Sequence, residues 1–503
     1  MRVRPTGASD RPLRRPGAHG KRRPDGYRDA AAGGGQAAAR RPALARSAIA
    51  PYVRRILDRA RLKFLSRDEL ITDLSRMKAV RVISRTTAMQ YKNSTLSLRE
   101  IGTAVGVRCA LTGSVRRAGS ALRISAQLVD VRRDQPEWAE KYSGTLDDVF
   151  DVQERVSRAI VEALDIALSP QESAQLAARP LQDVRAFELY LKAREALGGY
   201  DVERAAPLIA GAVDIAGRVP VLRALEAMSG IMQLRTGASR HPALIASIER
   251  EARALSAEAP QFAQGHALLG YLAYETGDPA TAVRALRRAI ELDPSDADIR
   301  FFLSISLQAG GKPDTRGGLQ WLADDPLSPL ANIAVGANSW WTGRFAEGTA
   351  YLEQAVRLVP AGLIFHWGLG NHYALIGRYE EAARQAAWLT EHAPQFAYTP
   401  TLQGLLLGAA GRHDEAQAVL DAIDMVPLDG HHIFHLAESY AGAGASARAV
   451  KLIDRALTMG FTGISDYCEQ WSPFFVSLRG RDDFAQSMVR ARDLAARFKA
   501  AVG

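Results

Sequence analysis

Glycine punctuates this chain at a nearly constant interval. Gly277, Gly311, Gly343, Gly377 and Gly411 are separated by 34, 32, 34 and 34 residues, and Gly444 follows 33 residues later. Glycine reaches positive φ without steric cost, so it suits the tight turn between two helices. At this period it predicts a helix-turn-helix solenoid, in which each helix pair buries its apolar face only against a neighbouring pair.

The residues between the glycines fit that reading. In "HALLGYLAYETGDPATAVRALRRAIELDP" the small residues Gly270 and Ala282 let two antiparallel helices approach, while Leu269, Leu286 and Ala289 fill their seam and Pro294 stops the second helix. The same slots recur in "WGLGNHYALIGRYEEAARQAAWLTEHAP" as Leu369, Gly370, Tyr373, Gly377, Ala382, Leu389 and Pro394. On these residues the chain resembles the tetratricopeptide repeat family over about 186–457. Clear units fall at about 263–296, 329–362 and 363–396, with degenerate ones around 186–220, 297–328, 397–428 and 430–462. The resemblance implies a right-handed solenoid whose first helices line a concave, peptide-binding face.

Upstream the period changes to two. Val107, Cys109 and Leu111, then Leu122, Ile124, Ala126 and Leu128, form two half-buried strands, with Ala118-Gly119 between them, which predicts a β-hairpin. "EWAEKYSG" (137–144) reads as a further strand, "AVRVIS" (79–84) as another, and "LREIGTAVG" (98–106) as a short helix ending at Gly106. Ser66 with Glu69 gives a reciprocal cap at the start of "SRDELITDLSRM". Val149, Val152, Val156, Ile160 and Leu164 mark an amphipathic helix over about 146–168. Residues 64–168 thus read α-β-α-β-β-β-α. In order and spacing these segments resemble the TolB amino-terminal-like (FlgO-like) domain over about 66–166. That family opens on a strand of the type V-A-V-L-P-F, and here an Arg-rich stretch ending in "PYVRRILDRARLKFL" stands in its place, so the first strand is expected to be missing. The stretch is then either a genuine basic arm or non-native coding sequence.

The fold class expected is α+β, a small mixed α/β domain followed by an all-α tetratricopeptide-type right-handed solenoid. Residues 1–63 form a disordered basic tail, 64–168 the α/β domain, 169–185 a linker, 186–462 the solenoid and 463–503 C-terminal capping helices. The net charge of +9 is concentrated in the tail, where residues 1–62 hold 16 Lys and Arg against 4 Asp; the remainder holds 48 against 51. The body is not basic, which argues against a nucleic-acid partner. No apolar run approaches the roughly 18 residues of a membrane span, and no signal peptide is visible, which favours the cytoplasm. Cys109 and Cys468 lie in different domains and read as small buried hydrophobes.

No phosphate-binding loop, H-E-x-x-H helix or G-x-S-x-G elbow occurs, so no catalytic residue, cofactor site or metal site is assigned. "RHDEA" at Arg412 and "DDFAQ" near Asp483 match kinase motifs only by chance. His431 and His435, at i and i+4, could hold a metal, but a solvated helix start is the simpler reading; the acidic pairs Asp147-Asp148, Glu380-Glu381 and Asp482-Asp483 suit helix N-termini. Arg116, Arg117 and Arg123 read as a solvated sheet face, since no aromatic residue interleaves with them. The candidate protein-binding residues are Tyr271, Tyr274, Trp340, Trp341, Trp367 and Asn371, mapped to the concave face, with inter-repeat core as the competing role. The expected function is non-enzymatic binding of an unknown protein or peptide. The alternatives are a regulatory fragment of a nucleotide cyclase or protein kinase, and a DNA-linked regulator using the basic arm.

Overall fold

Alternating apolar residues between Cys109 and Asp130 form a long antiparallel hairpin. Strands β3 (Cys109–Ala118) and β4 (Ala121–Asp130) pair so that Leu111 faces Leu128 and Val115 faces Ile124. Strand β5 (Gln135–Thr145) continues the sheet beyond β4, with a register slip at Leu128/Val129. The computed structural model describes residues 47–51, 74, 77, 80–83, 87, 88, 91 and, from 94 to 503, all but the breaks at 119–120, 146–148, 178–180, 199–200, 237–238 and 424–427. The expected tail lies outside the described residues up to 46, as do the proposed Ser66 cap and Asp147-Asp148.

The missing first strand is a correction. Strand β1 (Ser47–Pro51) runs parallel to both β2 (Val80–Val82) and β3, and the sheet order is β2-β1-β3-β4-β5. The range read as a tail therefore supplies an interior strand. Helix α1 (Leu98–Val105) starts on a reciprocal cap, the Ser97 hydroxyl accepting from the Glu100 N–H and the Glu100 carboxylate from the Ser97 N–H, and ends at Gly106 with φ 67°. Helix α2 (Val149–Ala163) lays Val152, Val156 and Ile160 on Leu111, Ile124 and Leu128, a core that also takes in Leu74. It stops short of the expected 168 because Asp165 adopts φ 54°, and α3 (Pro170–Ala177) follows.

The remainder is helical and stacked in pairs. In order these are α4 (Val184–Gly198) with α5 (Val202–Ala216), α6 (Pro220–Thr236) with α7 (Pro242–Glu258), α8 (Ala263–Glu275) with α9 (Pro279–Leu292), and α10 (Ala297–Ala309) with α11 (Thr315–Asp324). Then come α12 (Pro329–Asn338) with α13 (Phe345–Leu358), α14 (Leu363–Leu375) with α15 (Tyr379–His392), α16 (Tyr398–Ala409) with α17 (His413–Asp421), and α18 (Gly430–Gly442) with α19 (Ser446–Thr458). All six periodic glycines have φ between 67 and 86°. A Cβ on Gly270 would lie 2.5 Å from Leu286 Cγ, so only glycine permits this helix approach. The pair α6 and α7 is a unit that no periodic glycine announces.

Among the described residues, a hydrogen bond and an apolar contact join the parts. Thr87 donates its hydroxyl proton to Asp325, at the end of α11, and Leu327 packs on Ile83, Val105 and Val107. Past α19 the chain makes a turn at Tyr467–Trp471, another at Pro473–Leu478, and then α20 (Asp482–Val502), whose Phe498 and Val502 pack with Val283 and Leu307. Among the described residues no helix is long and apolar enough to cross a membrane.

Candidate functional site

First and second helices of each pair differ in burial. Every residue of α14 from Phe365 to Leu375 is buried, whereas α15 buries only Ala382, Ala386 and Leu389. A helix enclosed on all sides has neighbours across the solenoid as well as along it. For α14 the neighbour across is α18, itself buried from His432 to Ala441.

The meeting place is a cluster of rings. Trp340, in the short turn after α12, lies edge-on to Trp367 at 6.0 Å and to His435 at 6.1 Å; Trp367 packs on Tyr398 at 4.1 Å and on His435 at 4.9 Å. Trp341 contacts Phe434, Phe461 and Tyr467 at 5.7, 5.4 and 4.9 Å. The Trp340 indole N–H donates to His372 Nδ1 at 3.0 Å, so that nitrogen carries no proton and the Nε2–H faces the Thr349 hydroxyl at 2.8 Å. Burial, with Arg378 nearby, pulls the His372 imidazole down to about 4, in keeping with a neutral ring.

Polar groups within this interior are matched unevenly. The buried Glu438 carboxylate accepts from Tyr467 at 2.6 Å and Ser472 at 2.8 Å, and faces His435 Nδ1 at 3.1 Å. Serine and imidazole both bond the carboxylate rather than each other, so this is not a nucleophile-base pair. His435 Nε2, His432 Nε2 and Asn371 Nδ2 are buried without a hydrogen-bond partner. Asp429 caps α18, accepting from the His432 N–H at 2.8 Å. Burial alone would raise its carboxyl, but the His432 and His431 imidazoles and the capping N–H outweigh that, and the net shift is downward. Glu275 receives Arg235 at 3.0 Å and Arg240 at 3.2 Å. Burial dominates there, and the carboxyl is pushed up to about 7.

Profiles of the tetratricopeptide repeat family match residues 263–306, 342–393 and 401–460. The solenoid contains tetratricopeptide repeats over those stretches. A curated relative, "Putative adenylate cyclase 3" of Rhizobium meliloti (strain 1021), is 38% identical over 130 residues, 26% of this chain, and the chain spans only 22% of that relative. Among solved structures, a tetratricopeptide repeat protein of Parabacteroides merdae ATCC 43184 aligns with 62% of this chain and 100% of its own at 12% identity and a TM-score of 0.32. The Rap protein complexed with competence and sporulation factor aligns with 63% of this chain and 100% of its own, at 12% identity and 0.47.

Within these tetratricopeptide repeats, the aromatic residues expected on an open concave face are not on one. Trp340, Trp341, Trp367, Tyr271 and Asn371 are buried, at 2, 7, 3, 4 and 2% exposure. The structure brings the three tryptophans into one cluster, while Tyr271 packs at a tilt against Phe302, 4.2 Å away. Tyr274 alone is half-buried, at a small cleft it shares with Asp429, His431 and Phe461. Nor is α18 a solvated helix start, because His432 and His435 are buried. Among the described residues no group of three or more His, Cys, Asp or Glu side chains is placed to hold a metal ion. Cys109 and Cys468 are buried free thiols. Arg116 and Arg123 stand opposite each other and exposed. The residues missed from sequence were Arg235, in the last turn of α6, Arg240, in the connection before α7, and Glu275, the lone acidic residue of the apolar α8, which come together from different units.

Proposed function

We propose that this chain is a non-enzymatic interaction protein whose tetratricopeptide solenoid binds another polypeptide. The observation that carries this reading is the unbroken stack of helix pairs from α4 to α19, since stacked repeats give an extended surface for a partner. We read the α/β part as a FlgO-like domain. Its segment order supports that, as does β1, where S-A-I-A-P stands in the place of the V-A-V-L-P-F strand. A cytoplasmic location goes with this reading.

A second reading has a specific observation behind it. The stretch shared with the putative adenylate cyclase favours a regulatory part of a nucleotide cyclase, the catalytic part belonging to other sequence. Calorimetry and peptide display separate the two from an unrecognised nucleotide enzyme. Purified protein is expected to show no saturable binding of ATP or GTP and to select related peptides at micromolar affinity. Micromolar nucleotide binding with no peptide selected would reverse the assignment.

A further inference from the structure

Ahead of the α20 packing on Val283 and Leu307, a short segment carries the backbone back across the solenoid. After α19, Met459–Gly463 crosses the turns of two units more than 150 residues earlier: the Thr462 and Gly463 N–H groups both donate to the carbonyl of Ala309, the last residue of α10, at 2.7 and 2.8 Å. A Cβ on Gly463 would lie 2.3 Å from Gly311 Cα, and one on Gly460 2.7 Å from the Gly277 carbonyl carbon, so backbone meets backbone at both crossings. Between them Phe461 enters the ring cluster, 5.4 Å from Trp341, 5.3 Å from His431 and 5.2 Å from Phe434. Tyr467 follows against Trp341.

Repeats hold together through contacts between neighbours, so this long-range closure is added to the stack and can be lost separately from it. The closed interior also leaves His432 Nε2 and His435 Nε2 buried without partners, a desolvation cost that an opened interior does not bear. The seat itself has a defined chemistry: one carbonyl that takes two successive backbone N–H groups, room for glycine only at the crossings, and an aromatic pocket between them.

We propose that residues 459–471 are a latch, an internal occupant of the inner face that releases while the repeats stay folded and so uncovers Trp341 and its neighbours for an extended polypeptide. The partner that fits the seat presents an aromatic residue flanked by glycine or another small residue. The identity of the occupant rests on the function proposed above; the opening does not.

Native-state hydrogen exchange on the unmodified chain tests the opening. The amides of Phe461, Thr462 and Gly463 are expected to exchange at least ten-fold faster than the central amides of α14, which stay protected. Exchange of both sets at one rate would show closure lost only with the whole fold and would overturn the latch. Binding of a labelled peptide of residues 455–471 tests the occupant. Gly463→Val, whose side chain the Gly311 backbone excludes, should bind it at least ten-fold more tightly than the parent. Gly480→Val, where nothing lies within 4 Å of the added Cβ, should bind as the parent does. Fast exchange with no peptide binding by a folded Gly463→Val overturns the polypeptide occupant and keeps the latch. Should that variant fail to fold, the exchange pattern of the parent decides.

Discussion

Trp340 illustrates what burial does to a candidate binding residue. Its indole fills space between Trp367 and His435 and satisfies His372, so truncation removes both packing and a hydrogen bond. Trp340→Ala should cost about 3–5 kcal/mol of folding stability, measured by urea unfolding; a change below 1 kcal/mol would return Trp340 to an exposed role. The titrating groups around this core oppose each other. His372, His431 and His432 are held below their ordinary value by burial, so the unfolded chain takes the proton first. Their stabilisation is complete above about pH 6.5 and is lost as pH falls, for His372 through about 4. Glu275 is raised, so its contribution is greatest below its ordinary value near 4.5 and declines as pH rises through about 7. His372→Gln should therefore flatten the stability loss between pH 6.5 and 4, while Glu275→Gln should flatten the loss between pH 5 and 7. Urea midpoints across that range check both signs, and an unchanged slope in either variant contradicts its assignment.

At the scale of elements, the periodic glycines act through backbone conformation. Gly377 has φ 77° and nothing within 4 Å of an added Cβ, so substitution there isolates the conformational cost from any clash. Gly377→Ala should destabilise by about 1–2 kcal/mol, whereas Gly480→Ala, which is in open space without positive φ, should be nearly neutral. Equal effects in denaturation would mean the turn does not depend on glycine. Such turns were legible because the signal is local, one residue type at one position of each unit. The hairpin β3–β4 was legible for the same reason, its alternation being written within some twenty residues. Strand β1 was not. Its Ser-Ala-Ile-Ala-Pro has neither alternation nor a run of β-branched residues, and it is a strand because β2 and β3 pair with it from 33 and 60 residues away. The α6–α7 unit escaped notice because its turn lacks the periodic glycine, although its burial follows the pattern of the others.

For the whole molecule, the sequence by itself determined the kind and order of the parts: a small sheet region followed by a helical solenoid with tetratricopeptide repeats. Those features rest on propensities and spacings within one unit or between adjacent ones, and adjacent units touch in any solenoid. Whether the inner face stays open depends instead on how far the stack curves, which sums small rotations from every unit and appears in none of them singly. The tryptophans at 340, 341 and 367 look the same in sequence whether they face solvent or one another. Tertiary structure decided between these by bringing α18 and Met459–Gly463 across the turns at Gly277 and Gly311. The same closure gathered Arg235, Arg240, Glu275 and Asp429, far apart along the chain, into one buried polar region, because a buried charge is tolerated only where its partners arrive with it.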